Sequence, residues 1–279
     1  MFRVLTLIGF TFIFIHLHVT GNISKYINMK YSWISFSTIF VLLALTIAEM
    51  AFYWRGGEEK HEHVHCECDH DHGTHKHKLR LWVYPLYFLP VITILCLPVA
   101  TLDSNIVEKK GFNFSIYDKK DPYSSHQFLQ PNTSSFYGQE AYDEMMKKEF
   151  KKYGTKDTLN LEDEEFLNAM ETIYDFPGEF VGKTISMKGF MYHTNELQQN
   201  QYFLFRFGII HCIADSGVFG MLVEFPKDVS YENDDWVKIT GKIDTMYYQP
   251  FKKTIPVIHV TKVTSISKPS NPYVYRNNQ

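Results

Sequence analysis

Three stretches in the first hundred residues most constrain what this chain can become. FRVLTLIGFTFIFIHLHVTG (Phe2 to Gly21), WISFSTIFVLLALTIAEMAFYW (Trp33 to Trp54) and LRLWVYPLYFLPVITILCLPVA (Leu79 to Ala100) each read as a bilayer-crossing helix, because about 20 apolar residues cross the hydrocarbon core. The first resembles a signal peptide in position, but it lacks a small-x-small cleavage site and a second apolar run follows closely, so it reads as a retained helix. Trp33, Tyr53, Trp54, Trp82 and Tyr84 fall at the ends of the later spans, as in an interfacial aromatic belt. From Thr101 onward the sequence changes to alternating polar and apolar residues. The expected fold is a membrane-anchored α+β protein: a transmembrane region over 1–100 with spans at 2–21, 33–54 and 79–100, a linker over 101–138, and a soluble domain over 139–279 of two helices and a five-stranded OB-like β-barrel.

Arg55, Lys60, Lys76, Lys78 and Arg80 flank the second loop, against Lys25 and Lys30 in the first. The positive-inside rule then puts the second loop in the cytoplasm and the C-terminal domain outside, in a multi-pass protein of the cell membrane. Lys109, Lys110, Lys119 and Lys120 after the third span pull the other way. The formal net charge of −3 gives no basic face for nucleic acid.

That second loop, 55–78, contains HEHVHCECDHDHGTHKH, with seven of the thirteen histidines and two of the four cysteines of the chain. His61, His63, His65, Cys66, Cys68, Asp69, His70, Asp71, His72, His75 and His77 are candidate ligands. Imidazole and thiolate favour zinc or another divalent transition metal, and carboxylates can complete the shell. The Cys66-Glu67-Cys68 spacing lacks the C-x2-C pair of a zinc finger, so the tract is recognised by composition and not by geometry. The plainer alternative is a solvated loop of mixed charge. His16 and His18, near the end of the first span, are either ligands or side chains reaching to the interface, and Glu49 inside the second span must be protonated, paired or wet.

Residues 103–135 carry turn formers and no sustained period, which is the mark of a linker. Tyr142, Met145, Met146, Phe150 and Tyr153 recur at helical spacing up to Gly154, and a second helix is expected from a cap at Asn160 to the stop at Phe176-Pro177-Gly178. From Lys183 the period becomes two. Runs around Gly189, from Tyr202 to Cys212, from Val218 to Phe225, around Gly241 and from Ile255 to Val263 make five strands, read as a small closed barrel or, from pattern alone, a small sandwich.

One string in this domain has chemical content. RFGIIHCIADSGVFG (Arg206 to Gly220) brings His211, Cys212 and Asp215 within five residues, a set that could bind a metal or activate a nucleophile. If His211 and Cys212 are adjacent on a strand they face opposite ways. Cys212 is then as readily a buried, inert thiol, and Asp215 a turn former. The four cysteines give no disulfide framework.

Several segments carry a likeness to a known family. MFRVLTLIGFTFIFIHLHVTGNISKYINMKY, PVATLDS, METIYDFPGEFVGKTI (Met170 to Ile185), LFRFGIIHCIADSGVFGMLVEFPKD (Leu204 to Asp228) and PYVYR (Pro272 to Arg276) resemble the YcgQ family of Gram-positive membrane proteins. The resemblance covers nearly the whole chain and includes a His-rich loop at the same place. It implies a partner, the permease encoded beside family members, and a link to metal homeostasis; it carries over no catalytic residues. Two functions compete. One is a membrane-anchored accessory subunit of a permease that gathers or senses zinc, with the bilayer and the permease as its partners. The other is an extracytoplasmic enzyme or redox module using Cys212 with His211 or Asp215. No complete catalytic constellation is visible, which favours the first.

Overall fold

The computed structural model describes residues 2–55, 75–97, 102–104, 107 and 138–276. The chain divides into two compact units, Met1–Thr101 and Leu102–Gln279.

In the first unit, α1 (Phe2–Val19) ends before Gly21, whose φ of 71° lets the chain turn sharply. The side chain of Asn28 accepts the Lys30 N–H and opens the turn that leads into α2 (Ser32–Arg55); α3 runs over His75–Cys96. Arg3 meets Glu49 at 3.6 Å and His18 Nε2 lies 3.0 Å from Ser35 Oγ, so α1 and α2 run antiparallel. Ile13, Leu17, Ile23 and Val91 form a small core.

The expectation of three crossings is corrected here. Among the described residues one helix, Met29–Arg55, is long and apolar enough to cross a membrane. The 18 residues of α1 rise about 27 Å at about 1.5 Å each, short of the roughly 30 Å core. The apolar described part of α3 is shorter still, Leu86–Cys96. Placing the His-rich loop and the C-terminal domain on opposite sides of the membrane depended on a third crossing and loses that support.

In the second unit α4 (Gln139–Tyr153) stops at Gly154, as its apolar spacing foretells. The next helix, α5 (Phe166–Asp175), starts six residues later than the expected cap, because Asn160 belongs to a strand, β1 (Thr158–Asn160). Pro177 opens a single turn, α6 (Pro177–Phe180). Then come β2 (Thr184–Tyr192), β3 (Gln201–Ile209), β4 (Gly217–Glu224), β5 (Trp236–Tyr248), β6 (Lys253–Ser265) and β7 (Tyr273–Tyr275).

These strands form one mixed sheet in the order β1-β2-β5-β6-β4-β3-β7. The five-stranded OB-like barrel is therefore replaced by a larger sheet with β1 and β7 as added strands, each paired in parallel over three residues. A further short ladder, Phe190 with Phe205 to Tyr192 with Phe203, joins β2 to β3. Segments of three residues carry no readable period, which is why the sequence pattern misses them.

Successive residues point to opposite faces, and here both faces are covered. Ile185, Met187, Leu204, Met221, Val237, Ile239 and Ile258 pack with α5 and α6 through Phe166, Met170, Ile173 and Phe180. Phe190, Phe203, Phe205, Phe207, Trp236 and Tyr248 make a second, aromatic cluster on the other face. Burial on both faces accounts for the apolar run Tyr202–Phe205 in β3, a strand in which every residue is buried. Gly220 marks the tightest approach: a Cβ there would lie 1.9 Å from the Leu204 carbonyl oxygen.

Candidate functional site

Of the His-rich ligands expected from sequence, His61, His63, His65, Cys66, Cys68, Asp69, His70, Asp71 and His72 lie outside the described residues. His75 and His77 fall in the first turn of α3. They are two residues apart in the sequence.

The same spacing separates His16 and His18. The His16 ring stacks on Phe12 at 6.0 Å, while His18 sits edge-on to Phe36 at 5.6 Å and contacts Ser35. They engage different neighbours and do not converge. Glu49, the carboxylate expected to need a partner, has one in Arg3.

The His211 loop is the most organised of the candidates. Because β3 ends at Ile209, His211 and Cys212 lie beyond the strand, so the alternation that would separate them does not apply. The chain instead turns through a 3₁₀ segment, Ile213–Asp215, which brings the Asp215 carboxylate back over the strand end. That carboxylate accepts the backbone N–H groups of His211 and Cys212, each at 3.0 Å, and meets His211 Nδ1 at 2.8 Å. An acceptor at Nδ1 selects the tautomer that is protonated there and fixes the ring plane, which is how carboxylates orient metal-ligating and proton-transferring histidines. The His211 side chain is 40% exposed and Asp215 15%, so the ring is reachable from solvent while its anchor is sheltered. Cys212 is a free, half-buried thiol in the same turn.

A second histidine between carboxylates sits on β6. His259 Nδ1 lies 3.4 Å from Glu224 and Nε2 3.5 Å from Asp244. The carboxylates flank opposite ring nitrogens, so they do not meet on one ion. Among the described residues no group of three or more His, Cys, Asp and Glu side chains is arranged to hold a metal.

Sequence reasoning missed the buried charges. Arg276 pairs with Glu171, their side chains 1% and 0% exposed, and its guanidinium also contacts Met145 Sδ at 3.3 Å. Beside them the Tyr142 hydroxyl donates to Asp175 at 3.0 Å. Burial, then the nearby Glu171 and Asp175 carboxylates, push the Tyr142 phenol far above its ordinary range. Burial likewise raises Asp175, against the hydrogen bond from Tyr142. Arg206, 1% exposed, pairs with Asp163 at 2.8 Å and lies over the rings of Trp236 and Phe166 at 5.1 and 5.8 Å. A signal was present: Glu171 and Asp175 lie in METIYDFPG and Arg276 closes PYVYR, two of the segments that carry the family likeness, but nothing in the residues told that they meet.

Fold and sites together define a protein with one helix, among the described residues, long and apolar enough to cross a membrane, and a sheet domain that carries an oriented histidine and an internally ion-paired core. Residues 2–113 match the family DUF1980 N-terminal domain, and residues 136–276 match the DUF1980 C-terminal domain. The chain is 51% identical to the UPF0703 protein YcgQ of Bacillus subtilis (strain 168) over 99% of both chains. It is 32% identical, again over 99% of both, to a Streptococcus mutans protein named "Putative two-component membrane permease complex subunit". The chain belongs to the YcgQ (UPF0703) family.

Proposed function

We propose that this protein is a membrane-anchored subunit of a permease complex and that its His-rich segment holds a divalent transition metal, zinc first. The observation that carries the first half is the end-to-end similarity to the Streptococcus mutans protein of that name, joined to a helix, Met29–Arg55, able to cross a bilayer. Support for the second half is chemical: residues 61–77 concentrate seven imidazoles, two thiols and two aspartates, and nitrogen and sulfur donors bind zinc in preference to magnesium or calcium. His61, His63, His65, Cys66, Cys68, Asp69, His70, Asp71, His72, His75 and His77 are the donor pool, of which about four serve an ion at once. The metal would supply a local charge that links occupancy to the state of the complex. Metal analysis of the purified full chain, intact and with residues 61–77 deleted, tests this. Zinc present in the first and absent in the second is expected; equal metal contents would refute it.

A second reading has one observation in its favour, the 2.8 Å contact of His211 with Asp215 beside a free thiol. In that reading the sheet domain binds or reacts through Cys212. Cys212→Ser should then impair complementation of a deletion strain more than Cys96→Ser does, and equal complementation makes Cys212 a packing residue.

A further inference from the structure

The chain is gripped where it first joins the sheet domain. The Leu102 N–H donates to the Tyr273 hydroxyl at 3.0 Å, the Ser104 N–H donates to Asp234 Oδ1 at 2.9 Å, and the Ser104 hydroxyl donates to the other oxygen of that carboxylate. Five residues separate Leu102 from the end of α3 at Cys96.

Both grips depend on positions held against local preference. Asp234 adopts a φ of 71°, in the left-handed region that residues with a Cβ seldom enter, and its own N–H is tied to the Met191 carbonyl at 3.0 Å. Tyr273 belongs to β7, a strand too short to secure itself. Side chains hold it instead: Arg206 donates to the carbonyls of Pro272 at 3.2 Å and Tyr273 at 3.5 Å, and Arg276 inserts its guanidinium against the buried Glu171 of α5.

We propose that Leu102–Ser104 is a conformational strap whose grip is set by the C-terminal strand. While Arg276 is latched on Glu171, β7 is seated, Tyr273 presents its hydroxyl to Leu102, and the strap is fixed. When the latch opens, β7 is released, Tyr273 withdraws its hydroxyl from Leu102, and the strap is left on the Asp234 grip alone. One end of the relay is the segment arriving from the membrane unit and the other is the ion pair between β7 and α5, so displacement of either end is felt at the other. The relay is independent of what the membrane unit binds and does not rest on the permease reading.

Amide hydrogen exchange on the full chain in lipid nanodiscs tests the relay. Tyr273→Phe, which removes only the hydroxyl, should speed exchange in residues 102–104 by about five-fold, the effect of one lost hydrogen bond, with β4 to β6 unchanged. Arg276→Met, at the far end, should release the same segment. Unaltered protection of 102–104 in Tyr273→Phe overturns the proposal, as does unaltered protection of the same residues in Arg276→Met. Should Arg276→Met fail to fold, the double variant Glu171→Met with Arg276→Leu, which opens the latch without stranding a charge, decides: native protection of 102–104 in it overturns the proposal.

Discussion

The two units of this chain put their charges in opposite places. In the membrane unit the Arg3–Glu49 pair is on the outside, with side chains 77% and 38% exposed, and large apolar residues such as Trp33, Phe40, Ile47 and Phe52 also face outward. In the sheet domain Arg206, Arg276 and Glu171 are inside, at 1% exposure or less, and apolar side chains cover both faces of the sheet. A helix that crosses lipid needs no apolar interior to be stable, whereas a sheet that buries both faces gains its stability from one. The buried pair of Arg276 with Glu171 joins the end of β7 to α5.

Breaking the buried pair should give the largest effect. Glu171→Leu or Arg276→Leu alone strands a buried charge and is expected to cost about 3–5 kcal/mol in urea unfolding, whereas the double variant Glu171→Met with Arg276→Leu should recover most of it. If the single and double variants are equally destabilised, packing and not charge is what the site provides. Next in size is Gly220→Ala, where the added methyl would fall on the Leu204 carbonyl and should cost about 1–3 kcal/mol by forcing β3 and β4 apart.

Smaller effects sharpen the comparison. Tyr142→Phe removes a buried hydroxyl that donates to Asp175 and should cost about 1 kcal/mol in thermal unfolding. Asp175 is raised by burial, so the folded chain binds its proton more tightly than the unfolded chain does. Its contribution therefore favours the fold below the ordinary carboxylate range and is lost as the pH rises through its raised value. Asp175→Asn should match the parent in acid and gain on it as the pH climbs to neutrality, and a gain confined to acid would reverse this assignment.

What could be read from the residues depended on how far apart the interacting groups lie. The stripe Tyr142, Met146, Phe150 and the alternation around Gly189 and Gly241 are local, and they return as α4, β2 and β5. The pairing of Arg276 with Glu171 spans 105 positions, and an arginine near a C-terminus looks like an ordinary surface residue. His211 and Asp215 were recognisable as a set, but their convergence depended on where β3 stops, and strand ends are poorly marked in a run that is apolar on both faces. The first span was misjudged by a few residues: composition identified α1 as apolar, and its length, which composition does not set, leaves it short of a full crossing.

The proposed complex is tested most directly at Met29–Arg55, the helix able to cross a bilayer. A tagged full chain should be purified in mild detergent beside a variant in which Met29–Arg55 is exchanged for an unrelated apolar helix of the same length, and the neighbouring permease measured in both. The permease should accompany the native chain in fixed proportion and be lost from the exchanged one. Equal recovery of the permease with both would contradict the account, because the sheet domain would then be what docks; absence of the permease from the native chain would remove the proposed complex altogether.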